Sequence, residues 1–302
     1  MKPFPAIQSF CNRHRHPVAS ILRLFAGGLV TSRLVSSKPA ALALCLMVLV
    51  PGASAGGIVT TLPPLSGLVL MLDPEAEVHC LLPPGADAHD FQLTPRQVQR
   101  LKDADLLLRS SYDDRHWSGL EGSRASFDLW PDRSHAWLSP SAVINILPRL
   151  AETLQALAPE HTQAINQMLR KALSQAYAVR LEWHQALRAY GQRGVIMQHN
   201  AWQAMLEDFR VPVWGVLETG HHGDDIGPRR LEHALELLRE HPDALLWGNR
   251  QHADRALFWL RDHRDGSGTA QLLRFDPLGD CGLSWPDLMQ RNLGILTGTA
   301  AP

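Results

Sequence analysis

Short apolar runs alternate with amphipathic stretches along most of this chain, and the pattern changes character once, in the middle. Residues 57–62 (Gly-Ile-Val-Thr-Thr-Leu) and 77–82 (Glu-Val-His-Cys-Leu-Leu) are brief and apolar, which predicts strands, with residues 65–72 as a short helix between them. Thr94-Pro95-Arg96-Gln97 predicts a helix start: the Thr hydroxyl accepts from an otherwise free amide, and Pro has no amide to leave unsatisfied at the first helical position. Its apolar positions Val98, Leu101 and Ala104 lead into a strand-like run at 105–108. Strands that alternate with helices imply parallel βα units, because two parallel neighbours need a crossover connection.

Residues 139–190 read differently. Ser139-Pro140 opens a helix with Val143, Ile146, Leu147, Leu150 and Leu154 at helical spacing. After Ala158-Pro159 a second pattern runs through Ile165, Met168, Leu169, Leu173, Tyr177, Leu181, Trp183 and Leu187 with no interrupting Gly or Pro as far as Tyr190. About thirty helical residues reach about 45 Å, longer than one small lobe needs, so this helix is expected to be a rigid spine joining two lobes. The α/β alternation then restarts, with strands at 194–197, 211–217, 244–247 and 271–275 and helices at 201–209, 228–241 and 253–264. The expected fold class is α/β: two lobes, each a mostly parallel sheet flanked by helices, with residues 56–158 and 192–302 as the lobes and 159–191 as the linking helix.

Candidate chemistry sits where those strands end. His89 lies in Pro84-Gly85-Ala86-Asp87-Ala88-His89-Asp90-Phe91, His135 in His135-Ala136-Trp137-Leu138-Ser139-Pro140, and His199 directly after the strand in Val195-Ile196-Met197-Gln198-His199-Asn200. Asp276 closes the last strand in Leu273-Arg274-Phe275-Asp276-Pro277. A lone histidine is most often a surface or hydrogen-bonded structural residue. Several at strand-to-loop junctions are harder to assign to structure, because doubly wound sheets present ligands at the carboxyl ends of their strands. Three imidazoles and one carboxylate also complete a shell for a borderline metal such as zinc, whereas manganese prefers more oxygen donors and a higher coordination number.

The N-terminal segment changes the charge reading. Residues 1–55 carry Lys2, Arg13, Arg15, Arg23, Arg33 and Lys38 and no acid, then an apolar run over residues 40–50 and the small-residue sequence Pro51-Gly52-Ala53-Ser54-Ala55. That order predicts a secretory signal cut after Ala55, and the run is too short for a comfortable membrane span. The chain has 29 basic and 30 acidic residues, so losing the six leader bases leaves a net charge near −7, which argues against nucleic acid as a partner. About 247 residues remain, enough for two lobes with real cores. Of four cysteines, Cys80 and Cys281 survive; an exported compartment permits a bond between them, and the sequence leaves its geometry open.

These segments resemble the solute-binding proteins of bacterial ABC importers for zinc and manganese, most closely the periplasmic zinc-binding (ZnuA-type) branch. The resemblance is carried by residues 84–95 (Pro-Gly-Ala-Asp-Ala-His-Asp-Phe-Gln-Leu-Thr-Pro), 101–106, 135–140, 199–202 (His-Asn-Ala-Trp) and 275–279 (Phe-Asp-Pro-Leu-Gly). It implies a metal buried in a cleft between two lobes, with His89, His135, His199 and Asp276 as ligands. It also implies Zn2+ as the transported ligand (Mn2+ in the sister branch), a membrane permease of an ABC importer as partner, a periplasmic monomer, and no enzymatic activity. A manganese- or iron-binding homologue and a periplasmic zinc chaperone are the alternatives; a zinc hydrolase would need an adjacent general base such as His-Glu-x-x-His supplies, and none is present.

The chain departs from the family pattern in four places. The interval between the first two ligand segments is short, with only Asp113, Asp114, Arg115 and His116 in place of a long His- and Asp-rich loop. Ala88 precedes the first histidine, Asn200 follows the third, and Gly248-Asn249-Arg250-Gln251 stands where an acidic residue is usual, so water or Asp276 is left for the fourth position and the surroundings that tune affinity are altered. His221-His222-Gly223-Asp224-Asp225 is either an ordinary solvated loop or an accessory capture site. Trp137 and Trp202, beside two candidate ligands, are expected to hold their rings and exclude water.

Overall fold

Four parallel strands form the first sheet: β1 (Ile58–Thr60), β2 (Val78–Cys80), β3 (Leu106–Ser111) and β4 (Ser126–Trp130), in the order β2-β1-β3-β4. Four more form the second: β5 (Val195–His199), β6 (Val213–Glu218), β7 (Leu245–Asn249) and β8 (Leu272–Phe275), in the order β6-β5-β7-β8. These come from a computed structural model that describes residues 57–218, 226–264 and 271–299. The predicted leader and the His221-His222 segment lie outside the described residues. No helix among the described residues is long and apolar enough to cross a membrane.

Both sheets are wound the same way. The chain moves outward from the first strand to one edge and then returns across it, which puts a topological switch point between β1 and β3 and another between β5 and β7. Loops leaving the carboxyl ends of strands diverge at such points and open a crevice. The central strands are covered on both faces and are correspondingly apolar: every residue of β1, β5 and β7 is buried.

Helices α1 (Pro63–Leu72) and α2 (Pro95–Asp103) serve the first sheet, and α2 starts as its sequence requires, with Thr94 accepting from the Gln97 amide and the Gln97 side chain accepting from the Thr94 amide. The Gln97 side-chain amide then donates to the Leu81 carbonyl at 2.6 Å, pinning α2 beside the segment that leads to His89. After α3 (Pro140–Leu157), the spine is α4 (Thr162–Arg188), 27 residues and about 40 Å long. It buries Ile165, Ala172, Ala176, Val179, Trp183 and Leu187, while Tyr177 and Leu181, two positions of the predicted apolar pattern, are more than half exposed.

Helices α5 (Gln203–Asp208), α6 (Pro228–Glu240) and α7 (Arg255–His263) belong to the second sheet. The sequence reading missed β4 and the final helix α8 (Trp285–Thr297). α8 packs on α1 of the first lobe and on the spine helix α4, so the chain returns toward the first lobe at its end. Its approach is tight: a Cβ on Gly67 of α1 would come within 2.3 Å of the Leu283 carbonyl oxygen, which leaves no room for any other residue there.

Cys80, the last residue of β2, is disulfide-bonded to Cys281, just before α8, with Cα atoms 5.9 Å apart. The bridge closes a loop spanning 201 positions. Three indole and hydroxyl contacts tie the halves near the crevice: Trp137 Nε1 donates to the Pro277 carbonyl at 2.7 Å, Trp285 Nε1 to the Trp137 carbonyl at 2.6 Å, and the Ser139 hydroxyl to Asp208. Crosslinking distant residues stabilises by restricting the unfolded chain, so Cys80→Ser/Cys281→Ser is expected to lower unfolding stability by about 2–5 kcal/mol in urea titration of the metal-free protein. Equal midpoints and slopes for the two proteins would contradict a structural role for the bond.

Candidate metal centre

The loop after β2 turns at Pro83-Pro84-Gly85, where Gly85 has φ 75°, and reaches His89. The His89 amide donates to Asp87 Oδ1 at 2.8 Å, and the preceding carbonyl of Ala88 accepts from Trp117 Nε1 at 2.8 Å. The peptide on one side of the ligand is therefore clamped before any ion binds.

His135 follows β4 and adopts the left-handed conformation, φ 49°, uncommon for a residue with a Cβ. What compensates is Asp113, buried behind it. Its carboxylate accepts from the His135 amide at 3.1 Å, from Ser134 Oγ at 2.6 Å and from Ser110 Oγ at 2.5 Å, and lies 3.4 Å from His135 Nδ1. Ser134 Oγ is itself 2.6 Å from Nδ1. Nδ1 is thus engaged on that side, the arrangement in which a carboxylate orients an imidazole toward a metal.

His199 ends β5 at the switch point of the second sheet. Its Nε2 is 3.2 Å from His89 Nε2, and the His135 ring centroid lies 5.2 Å from its own. One ligating atom from each of His89, His135 and His199 falls within 4.8 Å of the others, and all three residues are buried. Two come from loops of the first sheet and one from the second. The cavity they line measures about 20 Å³, with Trp137, Asn249 and Leu278 among its walls. That is room for an ion or a single water and far too little for an organic substrate.

Asp276, the expected fourth ligand, is not among the gathered groups. Its Oδ1 accepts from the Leu278 amide at 3.2 Å, the Gly279 amide at 2.9 Å and Gln251 Nε2 at 3.0 Å, and its Oδ2 lies 3.5 Å from Arg250 Nη1. The carboxylate closes its own turn and binds the Arg250-Gln251 segment, so the residues after it, Pro277 and Leu278, line the cavity instead. Trp137 is buried against the His135 ring at a centroid distance of 5.1 Å, whereas Trp202 stacks on Trp183 and packs at a tilt against Phe275 in the core and does not line the cavity.

Three residues at the site were not predicted from the sequence. Glu218 ends β6 and His252 follows β7, and His252 Nδ1 lies 2.9 Å from Glu218 Oε2. Burial works to raise the Glu218 pKa, but hydrogen bonds from His252 and Gln198 and the charge of His252 outweigh it and hold the carboxyl below its ordinary value. Burial likewise works to lower the His252 pKa, and the hydrogen bond and charge of Glu218 overcome it and raise the pKa. The strand-end rule that singled out His199 applies equally to both residues. Asp113, seen in the sequence only as a remnant of a shortened loop, is the third such residue.

The family profile described as "ZnuA: Zinc-uptake complex component A periplasmic" matches residues 58–298. The chain belongs to this family. Among curated relatives, a Thermotoga maritima protein named for metal binding is 28% identical over 199 residues, covering 61% of this chain and 74% of that protein. The iron-binding protein YfeA of Yersinia pestis is 23% identical over 195 residues, covering 55% of this chain and 60% of YfeA. The crystal structure of ZnuA superposes with a TM-score of 0.70 at 19% identity over 80% of this chain and 98% of its own, a likeness of fold. The resemblance in the motifs and the expected two-sheet fold are thereby borne out, and the family places the chain among metal-binding transport components and not among enzymes.

Within this zinc-uptake family member, the weight placed on Asp113 is directly testable. Asp113→Asn is expected to weaken binding of a divalent metal by about 10- to 100-fold with stoichiometry unchanged, read by competition with a chromophoric chelator. Unchanged affinity would mean that His135 is positioned by its backbone alone.

Proposed function

We propose that this protein binds zinc in the periplasm, as a monomer, and delivers it to the membrane permease of an ABC importer. The observation that carries the reading is the convergence of His89, His135 and His199 on a cavity of about 20 Å³. Zinc–nitrogen bonds of about 2.0–2.1 Å put adjacent ligands of a tetrahedral site about 3.3 Å apart. The 3.2 Å between His89 Nε2 and His199 Nε2 matches that edge.

Three imidazoles then hold the ion, and water fills the fourth position, since the Asp276 carboxylate is committed to Gln251 and its own turn. Asn249 and Gln251 stand on the cavity wall where carboxylates would favour manganese. The name of YfeA makes iron the competing cargo, and its likeness to this chain is the observation behind that alternative. Because the ion joins ligands from both sheets, separating the sheets removes His199 from the other two and releases it. The domains in this reading are residues 56–158 and 192–302 joined by 159–191, with α8 of the last segment packed back on α1 and α4 and residues 1–55 as the export signal.

Dialysis of the purified protein against mixed zinc, manganese and iron, followed by elemental analysis, is expected to leave one zinc per chain. Single His→Ala replacements at 89, 135 and 199 are each expected to lose or loosen it, and Asp276→Asn to weaken it by less than about tenfold. Retained iron or manganese would overturn the zinc assignment, and indifference to the histidines would overturn the site. Binding also requires neutral imidazoles, so protons compete with the ion. Isothermal titration is expected to show affinity falling as pH drops from about 7.5 to about 5.5, whereas a flat profile would contradict histidine ligation.

A further inference from the structure

The carboxyl ends of three adjacent strands in the second sheet bring together a second group of metal-ligand chemistry. His199 ends β5, Glu218 ends its neighbour β6, and His252 follows β7 on the other side. Their ligating atoms all lie within 4.8 Å of one another. Glu218 Oε2 is the common point, 2.9 Å from His252 Nδ1 and 3.9 Å from His199 Nδ1. The two rings are stacked, 4.9 Å between centroids and 18° between planes, so both present Nδ1 to the same carboxylate oxygen. Gln198 fixes that carboxylate from behind: its side-chain amide donates to Glu218 Oε1 at 2.9 Å and to the Ala253 carbonyl at 2.6 Å, which leaves Oε2 to face the rings.

Two histidines and a glutamate form a zinc ligand set, with the remaining position for water. The surroundings suit exchange and not permanent storage. Glu218 and His252 open onto a cavity of about 540 Å³ whose wall also includes Gln198, Leu231 and Trp259. Gln251 and His252 border both this cavity and the small three-histidine cavity, so they form the partition between them. A simple ion pair would account for Glu218 and His252 alone. It does not account for a second Nδ1 turned to the same oxygen, or for the position of the pair between open space and the buried centre.

We propose that Glu218 and His252, together with Nδ1 of His199, form an outer seat for a divalent cation, a station between the open cavity and the three-histidine centre. The inference rests on the reading of His89, His135 and His199 as the ion's final seat. A neutral imidazole has one lone pair, so His199 serves one ion at a time. When Nε2 binds the inner ion, Nδ1 carries the proton and points it at Glu218. When Nδ1 binds the outer ion, Nε2 carries the proton toward His89 Nε2, 3.2 Å away. The two seats therefore fill in turn, and the protein with all its histidines still holds one ion at saturation.

The test uses zinc alone as the probe, with circular dichroism and melting to verify that each variant folds. The double variant His89→Ala/His135→Ala dismantles the inner seat and is expected to keep one more weakly held zinc in equilibrium dialysis with elemental analysis. Adding the near-isosteric Glu218→Gln, or His252→Ala, is expected to abolish it. In the protein with an intact inner seat, His252→Ala is expected to slow zinc capture in stopped-flow by about tenfold while stoichiometry stays at one. A double variant that holds no zinc, or holds it regardless of Glu218→Gln, would overturn the outer seat. A double variant that binds as tightly as the unaltered protein would instead overturn the three-histidine centre, so failure of either reading is recognisable.

Discussion

The proposed function depends on holding imidazoles from two separate sheets at the spacing of one metal's ligand shell. Metal–nitrogen bonds tolerate errors of a few tenths of an ångström, so a shift of the two halves that ordinary packing would absorb would cost such a site a ligand. The fold answers with rigid parts close to the ligands. Trp137 lies against His135 and donates to the Pro277 carbonyl of the opposite half, and Trp285 returns a hydrogen bond to the Trp137 carbonyl. α8 crosses back onto α1 and α4, and the Cys80–Cys281 bond fastens its beginning to β2, whose following loop carries His89.

The local geometry repeats the same economy on a smaller scale. Each of the three histidines follows the carboxyl end of a strand, and each has a backbone or ring atom held by a neighbour. Asp87 holds the His89 amide, Asp113 holds the amide and faces the ring of His135, and Glu218 faces Nδ1 of His199. The carboxylates that face the His135 and His199 rings orient them and would offset part of the positive charge that a buried divalent ion brings. Asp113 also sustains the left-handed backbone at His135, a strain that an isolated turn would relax.

Much of this was legible in the sequence, for identifiable reasons. The spine helix and most strands follow from hydrophobic period, and the three histidines from their place at strand ends beside turn residues. β4 was not legible because Ser126, Phe127 and Asp128 are exposed or half-buried on an edge strand, which blurs the apolar run. Tyr177 and Leu181 fit the helical period yet face solvent, since period identifies a stripe without saying where its cover ends. Asp276 sits beside the strand as a ligand would, but its carboxylate is claimed by Gln251, Leu278 and Gly279, and the bond to Gln251 is long-range and invisible to local pattern. The Glu218–His252 pair was missed for the same reason: neighbouring strands bring the two together, and the order of strands is not written in either segment.

The central claim is that one ion is held by three imidazoles and one oxygen in the small cavity between the sheets. X-ray absorption at the zinc K-edge on the zinc-loaded protein measures that shell directly. The account predicts three imidazole nitrogens and one oxygen at about 2.0–2.1 Å, four donors in all, with the outer-shell scattering of imidazole rings. Two imidazoles or fewer, a sulfur neighbour, or a six-coordinate oxygen-rich shell would contradict it.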